Sequence, residues 1–306
     1  TARLRVRPKS GWQLETRAEV RERSGQKPYA MTFGFSTAIE IPEPIHQQTV
    51  DGDIIVNFQK DKFKLMASGG LSAFSNQVST LYVDNPKRIT DVAGGDGPKT
   101  GALDLYPDNQ VIRGTLAMAY LLPRRTALTG TFGWSQGTQD DKFLKPLNNS
   151  ALQVMTPSTV PVLFPASQST LDSLPARSLN GKVNTIAGDL RLASSPMDKL
   201  EAALRFHYTK YDNKTAQLDF TGFAPYDVSW QRRIYTESDP ANNSQMTLGG
   251  DLDYSLSHEI QVGGIAEYRV RERTFREIEK DKETVVGGHA RLRPFSAMEI
   301  SGKYTH

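Results

Sequence analysis

Few residues in this 306-residue chain are spaced for reaction chemistry. His46, His207, His258, His289 and His306 are potential metal ligands, yet no two stand at the short intervals of a zinc site, so each reads as solvent-exposed or lumenal. The run Asp91-Val92-Ala93-Gly94-Gly95-Asp96 and the shorter Asp51-Gly52-Asp53 put carboxylates where calcium could bind. The remaining oxygen ligands of an EF-type loop are missing from both, and the first reads as a flexible Gly/Asp turn. Ser135 sits between Gly133 and Gly137 as in a nucleophile elbow, but no helical pattern follows it. Cysteine is absent, which removes disulfides, thiolate metal sites, a cysteine nucleophile and the Cys-x-x-Cys-His attachment of c-type haem. Catalysis is therefore not expected. What recurs by rule is charge at every second position: Arg3, Arg5 and Arg7; Glu15, Arg17, Glu19 and Arg21; Glu201, Arg205 and His207; Glu267, Arg269 and Arg271; His289, Arg291 and Arg293. The chemistry open to such rows is electrostatic. They line water with self-paired ions, or they dock a polar partner.

The elements that carry these rows have a period of two. From Gly11 to Arg23, Trp12, Leu14, Thr16, Ala18 and Val20 alternate with Gln13, Glu15, Arg17, Glu19 and Arg21, which at 180° per residue makes a strand with one apolar and one charged face. Ile260, Val262, Gly264, Ala266, Tyr268 and Val270 repeat the pattern, as do Met246, Leu248, Gly250, Leu252, Tyr254 and Leu256. Twelve such segments are expected, near 1–7, 11–23, 49–59, 62–76, 109–122, 126–137, 181–194, 199–212, 244–256, 259–273, 282–293 and 297–305. Most exceed the ~5 to 6 residues of a typical soluble strand. Ten or eleven residues tilted near 40° cover roughly 25 Å, the height of an outer-membrane barrel's apolar band.

The connections sort into two kinds. Short ones fall at Pro8-Lys9-Ser10, Lys60-Asp61, Pro123 to Arg125, Ser195 to Asp198, Ser257-His258 and Pro294 to Ala297. Long ones span about 24–48, 77–108, 138–180, 213–243 and 274–281, and Met31 to Ile41 belongs by parity to the first of these rather than to the wall. Placing every short turn on one rim puts every long loop on the other, as in bacterial outer-membrane barrels with periplasmic turns and outer loops. Asp61, Arg124, Met197 and Ser257 are then periplasmic, and Gly95, Ser158 and Pro225 are outside. The expected fold is an all-β, antiparallel transmembrane β-barrel wall spanning residues 1–306 as a single region.

Composition narrows the partners. Against 37 basic residues stand 34 acidic ones, so no basic tail or stripe points to nucleic acid. The longest strongly apolar run, Leu116 to Leu122, stops at Pro123, well short of the roughly 20 residues of a spanning helix. The opening Thr1-Ala2-Arg3-Leu4 has no signal-peptide pattern, and the start is expected to be mature or truncated. A soluble sandwich or propeller would turn the apolar faces inward; a propeller would also show a repeat of ~40 to 50 residues, and none is found. In a membrane barrel the apolar faces meet lipid, aromatics such as Trp12, Tyr120, Trp134, Tyr208, Tyr254, Tyr268 and Tyr304 suit the interfacial girdles, and the charged rows turn inward. Arg269, Arg271, Arg291 and Arg293 should then form a basic inner patch beside Glu267.

Particular runs carry a likeness. Tyr106-Pro107-Asp108-Asn109-Gln110 enters a strand, a hairpin follows, and Thr126-Ala127-Leu128-Thr129-Gly130 leads to Thr138-Gln139-Asp140-Asp141-Lys142-Phe143-Leu144. Upstream lie Pro42-Glu43-Pro44-Ile45, Phe74-Ser75-Asn76 and Asp84-Asn85-Pro86, with Arg-Pro turns at Arg7-Pro8 and Arg293-Pro294. Their order and spacing, clearest over residues 11 to 150, resemble the MtrB/PioB family of outer-membrane barrels that accompany decahaem cytochromes. The resemblance implies a sheath enclosing a periplasmic multihaem c-type cytochrome, often meeting a second cytochrome outside. The haem would be carried by that partner and none by this chain. Family barrels have many more than twelve strands, and Lys303-Tyr304-Thr305-His306 ends inside a strand, so the chain is expected to be an N-terminal-to-middle piece of the wall. The competing readings are a general diffusion porin or transporter for small polar solutes and, third, a soluble carbohydrate-binding or structural β protein.

Overall fold

The computed structural model describes residues 1–33, 37–92, 97–145, 148–151, 153–154, 162–163, 174–220, 229–230, 236–295 and 298–306. The alternating segments form twelve strands: β1 (Ala2–Val6), β2 (Trp12–Phe33), β3 (Thr37–Lys60), β4 (Phe63–Asn76), β5 (Asn109–Leu122) and β6 (Thr126–Gln139), then β7 (Gly181–Met197), β8 (Leu200–Asn213), β9 (Asn243–Ser255), β10 (Ile260–Arg273), β11 (Lys280–Phe295) and β12 (Met298–Thr305). They pair in chain order into one antiparallel sheet, each with its sequence neighbours, running linearly from β1 to β12. Every expected segment is present. The short turns are tight: Asp61, Arg124 and Arg125 take left-handed φ values of 47°, 57° and 53°. Gly11 has φ +83° at the turn into β2, where a Cβ would also collide with the Gln59 carbonyl. Register shifts at Ser194/Met197 and Leu292/Phe295 widen two turns on this rim.

The sheet's two faces differ chemically, as alternation requires. One carries large apolar side chains that remain open in this single layer, among them Val20 (56% exposed), Ile54 (55%), Leu204 (59%), Leu252 (53%) and Val286 (57%). A soluble protein would bury these under a second layer; a membrane strand leaves them to lipid. At the short-turn rim on this face, Trp12, Phe58, Phe63 and Tyr120 stack successively across β2 to β5, with ring centroids 4.7, 6.2 and 6.2 Å apart. Such a row fits an interfacial girdle.

The first outer excursion differs from the expected loop. Pairing between β3 and β4 stops at Gln47 and Asn76, but β2 and β3 continue against each other from Arg23–Gln47 up to Phe33–Thr37. Residues 24–33 and 37–47 thus form a two-stranded ribbon above the rim, built on the alternation of Tyr29, Met31 and Phe33. The second excursion adds a ribbon of Thr80–Asp84 against Thr100–Asp104. Gly101 lies so close to Phe33 and Met31 that a Cβ there would sit 2.9 and 3.0 Å from their side chains. Most of the fully buried side chains of the described residues belong to this cap or its joints, including Phe33, Thr37, Glu43, Ile45, Asn76 and Asn85. Lys27 pairs with Glu43 at 3.1 Å and donates to the Tyr106 hydroxyl at 3.0 Å. Asp108 accepts from the Asn76 amide and donates its own to Asp141, tying three loop bases together. Gly95, Ser158, Pro225 and Ala297 lie outside the described residues.

Candidate functional site

The charged rows lie together on the opposite face. The register sets Arg3 against Arg17 and Arg5 against Glu15, and Glu19 and Arg21 follow on the same parity of β2. Arg7 lies just past β1, in the turn, where it lines a crevice with Lys9 and Asp61. Arg205 stands on β8, Glu267, Arg269 and Arg271 on β10, and His289, Arg291 and Arg293 on β11. These residues share a face but not a neighbourhood. The β1–β2 group and the β8–β11 group are separated by the five strands β3 to β7.

Within each group the charges answer one another. Glu15, only 3% exposed, holds Arg3 at 2.7 Å, Arg5 at 2.9 Å and Arg17 at 2.5 Å. Arg21 reaches Asp51 at 2.5 Å and Glu19 at 3.6 Å. On β10, Arg269 lies between Glu267 (2.5 Å) and Glu283 (2.8 Å), and Arg273 pairs with Asp281. Arg291 and Arg293 converge on Glu299 at 3.4 and 2.7 Å, while Arg271 donates to the Gln245 side-chain oxygen. The expected basic patch of Arg269, Arg271, Arg291 and Arg293 is therefore largely neutralised by acids from adjoining strands. Sequence parity marks the face of a side chain, but only register pairs it with a partner on another strand. Half-exposed pairs of this kind add about 0 to 1 kcal/mol each, so their main effect is to hold the face near neutrality.

Two side-chain contacts skip a strand. Arg113 on β5 grips Asp53 on β3 with Nη2 contacts of 2.9 and 3.0 Å, and β4 passes between them with Gly70 at the crossing. A Cβ at Gly70 would strike the Asp53 carboxylate and lie 2.9 Å from the Arg113 Nε. His289 on β11 and Asp253 on β9 meet at 2.7 Å over Gly263 of β10 in the same manner. Arg113 and Asp253 were not singled out by their sequence context, and Asp53, which stood out there only as a calcium candidate, pairs with an arginine instead. Their signal was the polar parity of strands whose neighbours on that face are small and uncharged.

Midway along the sheet this face encloses a trough of about 740 Å³ whose lining comes from β3 through β10. Its charged groups include Lys64, Arg191, Arg205, His207, Glu267 and Arg269. His207 contacts Asp189 at 2.6 Å and Arg205 contacts Asp251 at 2.8 Å. The arrangement offers a water-accessible surface of mixed sign. Ser135, in mid-strand on β6, shares its hydroxyl with Thr185, so the glycine-flanked serine forms a cross-strand contact and no strand-to-helix turn.

The family model described as "Putative outer membrane beta-barrel porin, MtrB/PioB" matches residues 1–306. The chain belongs to the MtrB/PioB family. It is an outer-membrane protein with a porin-type β-barrel wall, and the family is not one of enzymes. A relative, "Outer membrane protein MtrB" of Shewanella baltica (strain OS185), is 21% identical over 285 residues, covering 92% of this chain and 36% of that protein. The chain thus spans about a third of the relative it matches. Among solved structures, the ferric yersiniabactin uptake receptor FyuA from Yersinia pestis aligns with TM-score 0.45 at 12% identity, covering 99% of this chain and 39% of that one. The TodX monoaromatic hydrocarbon channel aligns with TM-score 0.33 at 10% identity, covering 99% of this chain and 75% of that one.

Proposed function

We propose that this chain is part of the wall of an outer-membrane sheath that encloses and positions a multihaem c-type cytochrome for electron transfer across the membrane. The observation that carries the reading is the polar face itself. It is densely charged, mixed in sign and internally paired at most of its charged rungs, in a family whose relative bears the name MtrB. A haem protein cannot cross hydrocarbon bare, because its polar surface would lose water, whereas strands satisfy their own backbone and turn charge inward. Haem would be held by the partner, whose ligands and spacing set potentials and path; the wall supplies position and insulation. A second cytochrome at the outer surface would meet the cap of ribbons above the long-loop rim. The family description as a porin favours one further reading, a diffusion channel for small polar solutes in which the same face meets water.

The test is the absorbance spectrum of the assembly purified through the full-length protein, together with conductance in liposomes. A c-type haem signal with low ion leak is expected. An open pore without haem would replace the sheath with the channel.

A further inference from the structure

One rung of the sheet is charged differently from every other rung described above. Arg191 on β7 stands directly opposite Arg205 on β8, and like charges so placed repel. The comparable rung elsewhere, Arg3 against Arg17, is resolved from within, because Glu15 binds both guanidinium groups. At the Arg191 rung no acid among the described residues performs that service. Arg205 turns away to Asp251, Asp189 is taken by His207, and Glu267 by Arg269. Arg191 has no ion pair or hydrogen bond among the described residues and is exposed on the floor of the trough.

The neighbours leave that cation accessible. Along the same rung, Thr129 and Ala119 separate Arg191 from Lys64, a second exposed cation with no ion pair among the described residues, while Gly249 follows Arg205 and has no side chain. The trough therefore holds cations over a floor of small residues, with its own carboxylates already engaged. A guanidinium presents two parallel N–H groups to a carboxylate, and a facing pair fixes both the position and the orientation of one.

We infer that Arg191 and Arg205, with Lys64 three strands farther along the same rung, form a docking site in the lumen for a carboxylate presented by the enclosed protein. The inference rests on the sheath reading and adds a contact residue, Arg191, outside the charged rows recognised in the sequence. The guest's carboxylate takes the place that Glu15 fills between Arg3 and Arg17. Salt should weaken the attachment, since the trough is open to water.

The experiment uses the full-length protein in its outer-membrane assembly, with Arg191→Lys, Arg191→Gln and Arg191→Glu compared for haem retained through affinity purification over a salt series. Heat-modifiable gel mobility confirms that each barrel has assembled. One lost charge-assisted contact corresponds to roughly tenfold weaker retention for Arg191→Gln, with a larger loss for Arg191→Glu and partial rescue by Arg191→Lys. A photo-crosslinking residue at Thr129, the rung neighbour of Arg191, should give a haem-staining adduct. Unchanged retention of Arg191→Glu at every salt concentration, or no adduct from position 129, would overturn the docking site while leaving the sheath standing. If the wild-type protein itself retained no haem, the sheath reading would fail and the docking site with it. The two failures are thus distinguished by the wild-type lane.

Discussion

Placing arginine on each face of β9 gives the sharpest test of which side meets lipid. Leu248 and Leu252 are each 53% exposed on the apolar side, whereas Thr247 lies on the polar side opposite His207 and Arg269. Leu252 is three residues and Leu248 seven residues from the short-turn end of β9 at Ser255. At ~3.3 Å per residue and a tilt near 40°, these lie about 8 and 18 Å above the rim, on either side of the middle of a roughly 25 Å apolar band. Arginine at mid-depth costs ~2 to 4 kcal/mol and less toward either interface, so about 2 kcal/mol is expected for each leucine. That amounts to roughly a 30-fold change in the folded-to-unfolded ratio. Thr247→Arg and Gln261→Arg add a cation next to an existing one but remain in water, and about 1 kcal/mol or less is expected. Urea titration of the full-length protein in lipid vesicles, followed by heat-modifiable mobility, measures all four variants. Equal losses on the two faces would refute the assignment of lipid and lumen.

Glu15→Ala should leave Arg3, Arg5 and Arg17 without their shared acid and free the edge strand β1, seen as faster hydrogen exchange at residues 2–6, with Glu15→Gln intermediate. Gly70→Val should open the Arg113–Asp53 pair at a cost of about 1 kcal/mol, and the penalty should shrink when Arg113 has already been replaced by alanine; an unchanged penalty would remove the strand-skipping contact as its cause. In the cap, burial acts to raise the Asp91 pKa but is outweighed by hydrogen bonds from the Lys99 amide and from the Ser150 amide and hydroxyl and by the Lys99 charge, which together hold it below the usual carboxylate range. Because the folded value is depressed, this contribution is full above the ordinary aspartate pKa and is lost as pH falls through the folded one. Burial and the Asp141 charge push Asp104 upward, an effect of opposite sign, so the readout is local exchange at the Lys99 and Ser150 amides; equal protection on both sides of that pH range would contradict the clasp. Cysteine labelling on intact cells, compared with the parent protein, reads the topology: Ile89→Cys, 95% exposed in the cap, should gain reactivity and Arg124→Cys should not, and the reverse would invert the topology.

Strand positions were legible because alternation is a local property. β5 coincides with the expected 109–122, and the other wall strands differ by a few residues, except where β2 and β3 run on into the outer ribbon. That extension was hidden because parity alone assigns Met31 to Ile41 to an excursion without saying whether it pairs with itself. The charged face was equally readable from Glu15, Arg17, Glu267 and Arg269, each of which kept its parity in the sheet. Which charges cancel was not readable. Glu283 and Glu299 neutralise Arg269 and Arg293 from adjoining strands, and Asp53 meets Arg113 across an intervening strand only because Gly70 leaves room. Arg191 belongs to none of the charged rows read from the sequence; only the register sets it against Arg205 and gives the nearby acids other partners. Strands, faces and the grouping of turns on one rim follow from a period of two along a single chain and were therefore readable before any pairing was known. Net charge at a point in the lumen was decided by the tertiary structure, because it depends on which residues of separate strands share a rung.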